Sequence, residues 1–203
     1  MSEGEQPGHH PEPSADLAHR ALPLYTTQQP WFRIYRLAYA PLHFGKTGDN
    51  RFDLSDGKTG VCYVAADEAG AFIETLGHTT GTRVLTQSAL RSRGIAELHA
   101  GRPLRLVDLT GAGLAQIGAD QRLCTGDYTV AQRWSAAFFR HPQKPDGLCY
   151  RSRHDPNRLC AALYQRVART VHVVRAVGLA DREAVWLLGT LQRLYAVLID
   201  DTQ

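Results

Sequence analysis

One run of seven residues, WFRIYRL at 31–37, restricts the fold more than any other part of the chain. Read with period two, Phe32, Ile34 and Arg36 share one face, and Trp31, Arg33, Tyr35 and Leu37 share the other. Neither face is polar, so the strand is expected to be covered on both sides. Each face also carries an arginine, and a buried guanidinium is costly unless an anion meets it. The run therefore predicts an inner strand and asks which anion its arginines serve.

The rest of the chain supplies elements of both kinds in irregular order. Strands are expected at 61–65 (VCYVA), 94–100, 103–109, 146–153, 160–165 and 170–177. Asp67 is placed to cap a helix in which Ala69, Phe72, Ile73 and Leu76 follow the i, i+3, i+4, i+7 pattern, and Gly77 is placed to end it. Glu74 falls about 100° around from Ile73, off that stripe and facing a neighbouring cleft. A short helix is expected within GAGLAQIGA (111–119). An amphipathic helix is expected at 129–140, with Val130, Trp134, Ala137 and Phe138 inward and Pro142 as its stop. The last helix is expected after Asp181, with Ala184, Leu188, Leu191 and Tyr195 aligned. This irregular interleaving predicts an α+β fold and not a βαβ series. Residues 1–28, rich in Pro, Gly, Ser, His and Gln, read as a flexible N-terminal tail, and 29–203 as one catalytic domain without repeats.

Composition excludes more than it proposes. No apolar run approaches membrane-spanning length, and the N-terminus lacks the basic start and apolar core of a secretory signal, so a cytoplasmic protein is expected. The net charge of +3 is below what a dedicated nucleic-acid binder carries. Cys62, Cys124, Cys149 and Cys160 show no C-x-x-C spacing and read as buried thiols, and no metal-ligand cluster is evident. GAGLAQIG departs from the dinucleotide fingerprint at Gln116, so a Rossmann fold is not supported. The stretch 88–105 reads as a basic partner contact or plain surface. The loop at 40–60, with Gly45, Gly48, Gly57 and Gly60, is long enough to suggest function or disorder.

Four places set a polar residue at a strand or helix edge: Arg36, the Arg51–Phe52 pair, Tyr63 with Glu74, and the run Tyr150-Arg151-Ser152-Arg153. Singly, each has an ordinary structural reading: a strand-ending arginine, a core tyrosine, a solvated glutamate, a strand-end serine. Taken in order, YRLAYAP (35–41), NRFD (50–53), YVAADEAGAFIET (63–75) and WS…DGLCYRSR (134–153) resemble the RES domain family, named for a recurring Arg, Glu and Ser. Matched residue by residue, these are Arg36, Glu74 and Ser152; Arg51 matches the family's second arginine and Tyr63 its strand tyrosine.

The resemblance implies an ADP-ribosyltransferase-like fold, with mixed or antiparallel sheets around an NAD cleft and flanking helices. It implies an NAD+-consuming enzyme that cleaves the nicotinamide–ribose bond by hydrolysis or phosphorolysis, as the toxin of a bacterial toxin–antitoxin pair. A mono-ADP-ribosyltransferase acting on a protein and a catalytically inactive interaction module are the alternatives. NAD+ is then the substrate, with no prosthetic group and no metal. Water, inorganic phosphate and a protein side chain stay open as acceptors, and a helix-turn-helix antitoxin is the expected protein partner. In that chemistry Glu74 stabilises the oxocarbenium-like ribose where its charge develops. Arg36 holds the pyrophosphate, and Arg51 another phosphate or an incoming inorganic phosphate. Tyr63 stacks on nicotinamide, and Ser152 positions the ribose or Glu74 without acting as a nucleophile.

Overall fold

The computed structural model describes residues 10–77 and 84–200. In chain order the elements are β1 (Leu24–Thr27), β2 (Trp31–Arg36), β3 (Val61–Ala65), α1 (Glu68–Leu76), β4 (Val84–Thr86), α2 (Gln87–Arg91), β5 (Arg93–Ala100), β6 (Leu104–Leu109), α3 (Ala112–Gln116), α4 (Arg122–Thr125), α5 (Tyr128–Arg140), β7 (Gly147–Arg151), β8 (Leu159–Tyr164), β9 (Val171–Gly178), α6 (Val185–Tyr195) and β10 (Leu198–Asp200). Eight strands form one mixed sheet in the order β1-β6-β7-β8-β3-β2-β5-β9, and β10 pairs with β4 in a small separate sheet. Only β6 and β7 run parallel within the large sheet. A parallel pair needs a crossover, which α3, α4 and α5 supply. The α+β class expected from the sequence, with a mixed sheet and flanking helices, is the observed one.

The two-faced pattern of β2 has a direct structural counterpart. Ile34 belongs to an apolar cluster with Phe72, Trp134, Phe138 and Leu187, on the side carrying α1, α5 and α6. Trp31 and Tyr35 belong to a second cluster with Cys62, Leu98 and Leu163, closed by Leu42 and Phe44 of the 40–60 loop. The strand is thus covered by helices on one face and by a loop on the other. The guanidinium of Arg33 meets neutral acceptors, the His43 carbonyl oxygen at 2.6 Å and Cys62 Sγ at 3.2 Å, and no anion among the described residues.

Several local expectations hold to within a residue or two. Asp67 caps α1 by accepting a hydrogen bond from Gly70 N at 2.7 Å, and Gly77 ends it. Others need correction. Residues 10–28 are no flexible tail. Leu17 and Leu22 are buried, β1 pairs antiparallel with β6, and the segment straps α5: Trp134 Nε1 donates to the Pro11 carbonyl at 2.9 Å and Glu12 pairs with Arg133. Its prolines break no ladder, because the segment lies along a sheet edge and a helix surface. Residues 1–9 lie outside the described residues. The stretch 88–105 is largely sheet, since β5 is an inner strand with Ile95, Ala96 and Leu98 buried. In α5 the inward stripe is Val130, Ala131, Trp134, Ser135 and Phe138, with Ala137 half-buried. Asp181 accepts from Gly178 N at 2.8 Å instead of capping a helix, and α6 buries Leu187 and Leu191 while Leu188 stays half-exposed. Asp146-Gly147 is more than a turn. Gly147 already belongs to β7, where a Cβ would overlap the Ala162 carbonyl oxygen of β8.

Candidate active site

The sheet splits at its centre. β2 pairs with β5 along six consecutive residues, from Trp31↔Leu98 to Arg36↔Arg93, but meets β3 at a single pair, Phe32↔Ala65. Past that pair the two strands diverge, and a cleft of ≈ 590 Å³ opens between them. Its walls bring together Arg36 of β2, Arg51 of the loop, Tyr63 of β3 and Glu74 of α1. The fifth candidate, Ser152, stands directly behind Glu74.

Glu74 is held from that side. The Ser152 hydroxyl donates to Glu74 Oε1 at 2.5 Å and accepts from the backbone N–H groups of His154 and Asp155 at 3.1 and 3.2 Å. All of the capacity of the buried hydroxyl is used, which orients its proton toward the carboxylate and sets the Glu74 rotamer. The next layer ties α1 to the same loop. Arg158 reaches Asp67 at the start of α1 (3.2 Å) and Asp155 (3.1 Å), and Tyr195 of α6 donates to Asp155 at 2.8 Å. Burial would raise the Asp155 pKa, but Tyr195, the Asn157 N–H and Arg158 outweigh it and hold the carboxyl below its usual range.

Arg51 comes from a loop that enters the core. Phe52 is fully buried against Tyr150, with ring centroids 5.1 Å apart, and its carbonyl accepts from Ser135 at 2.7 Å. Asp53, also buried, accepts from Asn50 N, Asn50 Nδ2 and the Tyr63 hydroxyl, at 3.0, 3.0 and 2.9 Å. Tyr63 in turn accepts from Phe52 N at 2.9 Å. Burial, then the neighbouring Asp53 carboxylate, push the Tyr63 pKa well above that of a free phenol, so its proton stays in place as donor. The same tyrosine therefore lines the cleft with its ring and fastens the Arg51 loop with its hydroxyl. Arg51 is 8% exposed; Nη1 donates to the Gly126 carbonyl at 2.6 Å, while Nη2 is buried without a hydrogen-bond partner among the described residues. Its guanidinium lies 4.4 Å from the ring centroid of Tyr128.

Arg36 differs from the sequence expectation in burial. It ends β2 exposed, at the wall of the cleft and opposite Arg93 of β5. Among the described residues the cleft's lining includes Arg33, Arg36, Arg51, Arg93 and Arg153 against one carboxylate, Glu74. Such a surface attracts a polyanion and confines negative charge of its own to one spot. Cys124, in the same wall, is buried, and burial pushes its thiol up to about 12, away from the thiolate form. All four cysteines are free and buried. Among the described residues no group of His, Cys, Asp or Glu is arranged to hold a metal ion, and no helix is long and apolar enough to cross a membrane.

Sequence reasoning assigned no role to Asp53, Tyr128 or Tyr150. Asp53 was visible only as the fourth residue of NRFD, and its link to Tyr63 needs the loop closed. Tyr150 is buried and lines the cleft; sequence reasoning singled out the run Tyr150-Arg151-Ser152-Arg153 but gave a role in it only to Ser152.

Comparison with known proteins bears on family and fold. The sequence model of the RES domain matches residues 30–187. A chain of the solved M. tuberculosis MbcT-MbcA toxin-antitoxin complex superposes with a TM-score of 0.66 at 16% identity, covering 90% of this chain and 98% of that one. At that identity the likeness is one of fold. Curated proteins yield no significant match.

Proposed function

Because the chain belongs to the RES domain family, we propose that its central cleft binds NAD+ and cleaves the nicotinamide–ribose bond. The observation that carries this reading is Glu74: a single carboxylate, fixed by Ser152 at 2.5 Å, in a cleft otherwise lined with arginines. When nicotinamide leaves with the bonding electrons, the ribose acquires oxocarbenium character. A carboxylate already oriented stabilises that charge without reorganisation, and more in the transition state than in the ground state. Ser152 is a positioning residue, since every hydrogen-bonding capacity it has is spent on Glu74 and on the backbone. Arg36, exposed at the cleft wall, is the group suited to contact the pyrophosphate, and the buried Arg51 adds its positive charge from within the wall. The Tyr63 ring contributes an apolar wall for a base.

The acceptor is water or inorganic phosphate, with a protein side chain as the transferase alternative. An antitoxin is the proposed protein partner, seated over the cleft mouth where Tyr39 and Tyr128 stand exposed. The decisive experiment follows nicotinamide release from NAD+ by the purified protein, with and without phosphate, beside Glu74→Gln. Wild type is expected to release nicotinamide, and the variant to fall by at least roughly 100-fold with an unchanged melting temperature. No release from wild type in either buffer would leave the interaction module as the better description. Release only with a labelled acceptor protein would make it a transferase.

A further inference from the structure

We propose that Tyr128 is the platform on which the adenine of the dinucleotide stacks. This rests on the reading of the cleft as an NAD+ site and adds which end of the substrate lies where.

Tyr128 is the first residue of α5, lines the cleft and is 44% exposed. One face of its ring is occupied by the Arg51 guanidinium at 4.4 Å. That cation cannot drift away, because Arg51 is buried and bonded to the Gly126 carbonyl, two positions before Tyr128 itself. The ring is pinned from one side, with surface left over for a ligand. Ordering costs for a stacked base are thereby lowered, since the aromatic plane is set in advance. The other cleft tyrosines are less suited. Tyr63 is tied through its hydroxyl to Asp53, and Tyr35 and Tyr150 are buried. Tyr39, 57% exposed, leans on His43, which is itself exposed, so neither ring is held.

Charge selects the base. On the far face of Tyr128 a stacked ring would lie about 8 Å from the guanidinium. The nicotinamide of NAD+ is a cation and is disfavoured there by like charge. Adenine is neutral and electron-rich, and stacks better on a ring whose π-density is drawn toward a cation. The pyridinium end is favoured instead beside Glu74, the one carboxylate of the lining. The dinucleotide therefore runs from adenine at Tyr128 to the nicotinamide ribose at Glu74.

The test uses two probes, ADP and nicotinamide mononucleotide, which lacks adenine, with binding to the full chain measured by calorimetry. Tyr128→Ala and Tyr128→Leu, the latter keeping apolar bulk, are expected to weaken ADP binding roughly 5- to 100-fold. Tyr128→Phe should stay within about two-fold of wild type, as ring stacking needs no hydroxyl. Nicotinamide mononucleotide should bind all forms alike. Unchanged ADP binding in Tyr128→Ala, or an equal loss of both probes, would overturn the platform, the second outcome reducing Tyr128 to a support for Arg51. Loss of ADP binding in Tyr39→Ala, with Tyr128→Ala unaffected, would also overturn it. Wild type that shows the expected ADP pattern but cleaves no NAD+ would sink the proposed reaction and leave the adenine platform standing. Wild type that binds no ADP would end the platform whatever it cleaves.

Discussion

Glu74 and Ser152 are 78 positions apart in the chain and 2.5 Å apart in space. Ser152→Ala should expose how much of the proposed cleavage depends on that contact. The variant loses the donor to Glu74 and orphans the N–H groups of His154 and Asp155, so a destabilisation of about 1–3 kcal/mol is expected in urea unfolding. If Ser152 acts by positioning, turnover should fall more than about 10-fold while the KM for NAD+ changes little. A rise in KM with turnover intact would instead make Ser152 a ground-state contact with the ribose. The same division of labour applies at Tyr63, whose ring and hydroxyl serve different neighbours. A residue match identifies such positions without saying which half of the side chain matters.

At the scale of elements, α1 shows why some sequence readings were safe. Its apolar stripe, its Asp67 cap and its Gly77 stop are settled within nine helical residues, by short-range geometry. Asp67 also accepts from Arg158 at 3.2 Å, a contact no local pattern announces. Asp67→Ala should therefore cost more than an ordinary cap, about 1–2 kcal/mol by thermal or urea unfolding. Asp67→Asn should recover most of it if the cap dominates, and little if the pairing with Arg158 does. The N-terminal strap went unread for the opposite reason. β1 is four residues long and has meaning only against β6, about eighty positions later, and proline-rich composition is the same in a tail and in a strap. The 40–60 loop behaves likewise: its length signalled function, but Phe52, Asp53 and Leu54 reach the interior only because Tyr63 and Ser135 receive them.

For the molecule as a whole, the joint between the parallel strands is a pH-sensitive point. Asp146 is buried, receives both terminal nitrogens of Arg102 at 2.7 Å, and accepts from Arg105 N at 2.9 Å. Burial alone would raise its pKa, but the Arg102 guanidinium and the Arg105 N–H prevail and hold it below the usual carboxylate range. A depressed carboxylate stabilises the fold above its unfolded pKa of about 3.9, and that contribution disappears as pH falls through the lower folded value. The unfolding free-energy gap between wild type and Asp146→Asn, measured in urea, should thus be widest near neutral pH, where about 2 kcal/mol is expected, shrink as pH falls below about 4 and close only below the lowered folded pKa. A gap that persisted in acid would assign the effect to packing.

The chain by itself determined the α+β class, an inner strand covered on both faces, the ends of α1, and the order of Arg36, Arg51, Tyr63, Glu74 and Ser152. These follow from period, capping and residue identity, which act over a few neighbouring positions. Tertiary structure alone decided that β2 and β3 part after Phe32↔Ala65, that Arg33 is answered by a carbonyl and a thiol, and that Tyr128 carries a cation on one face. Each of those depends on groups distant in sequence being forced together by the burial of two apolar layers, and no local pattern encodes where such layers meet.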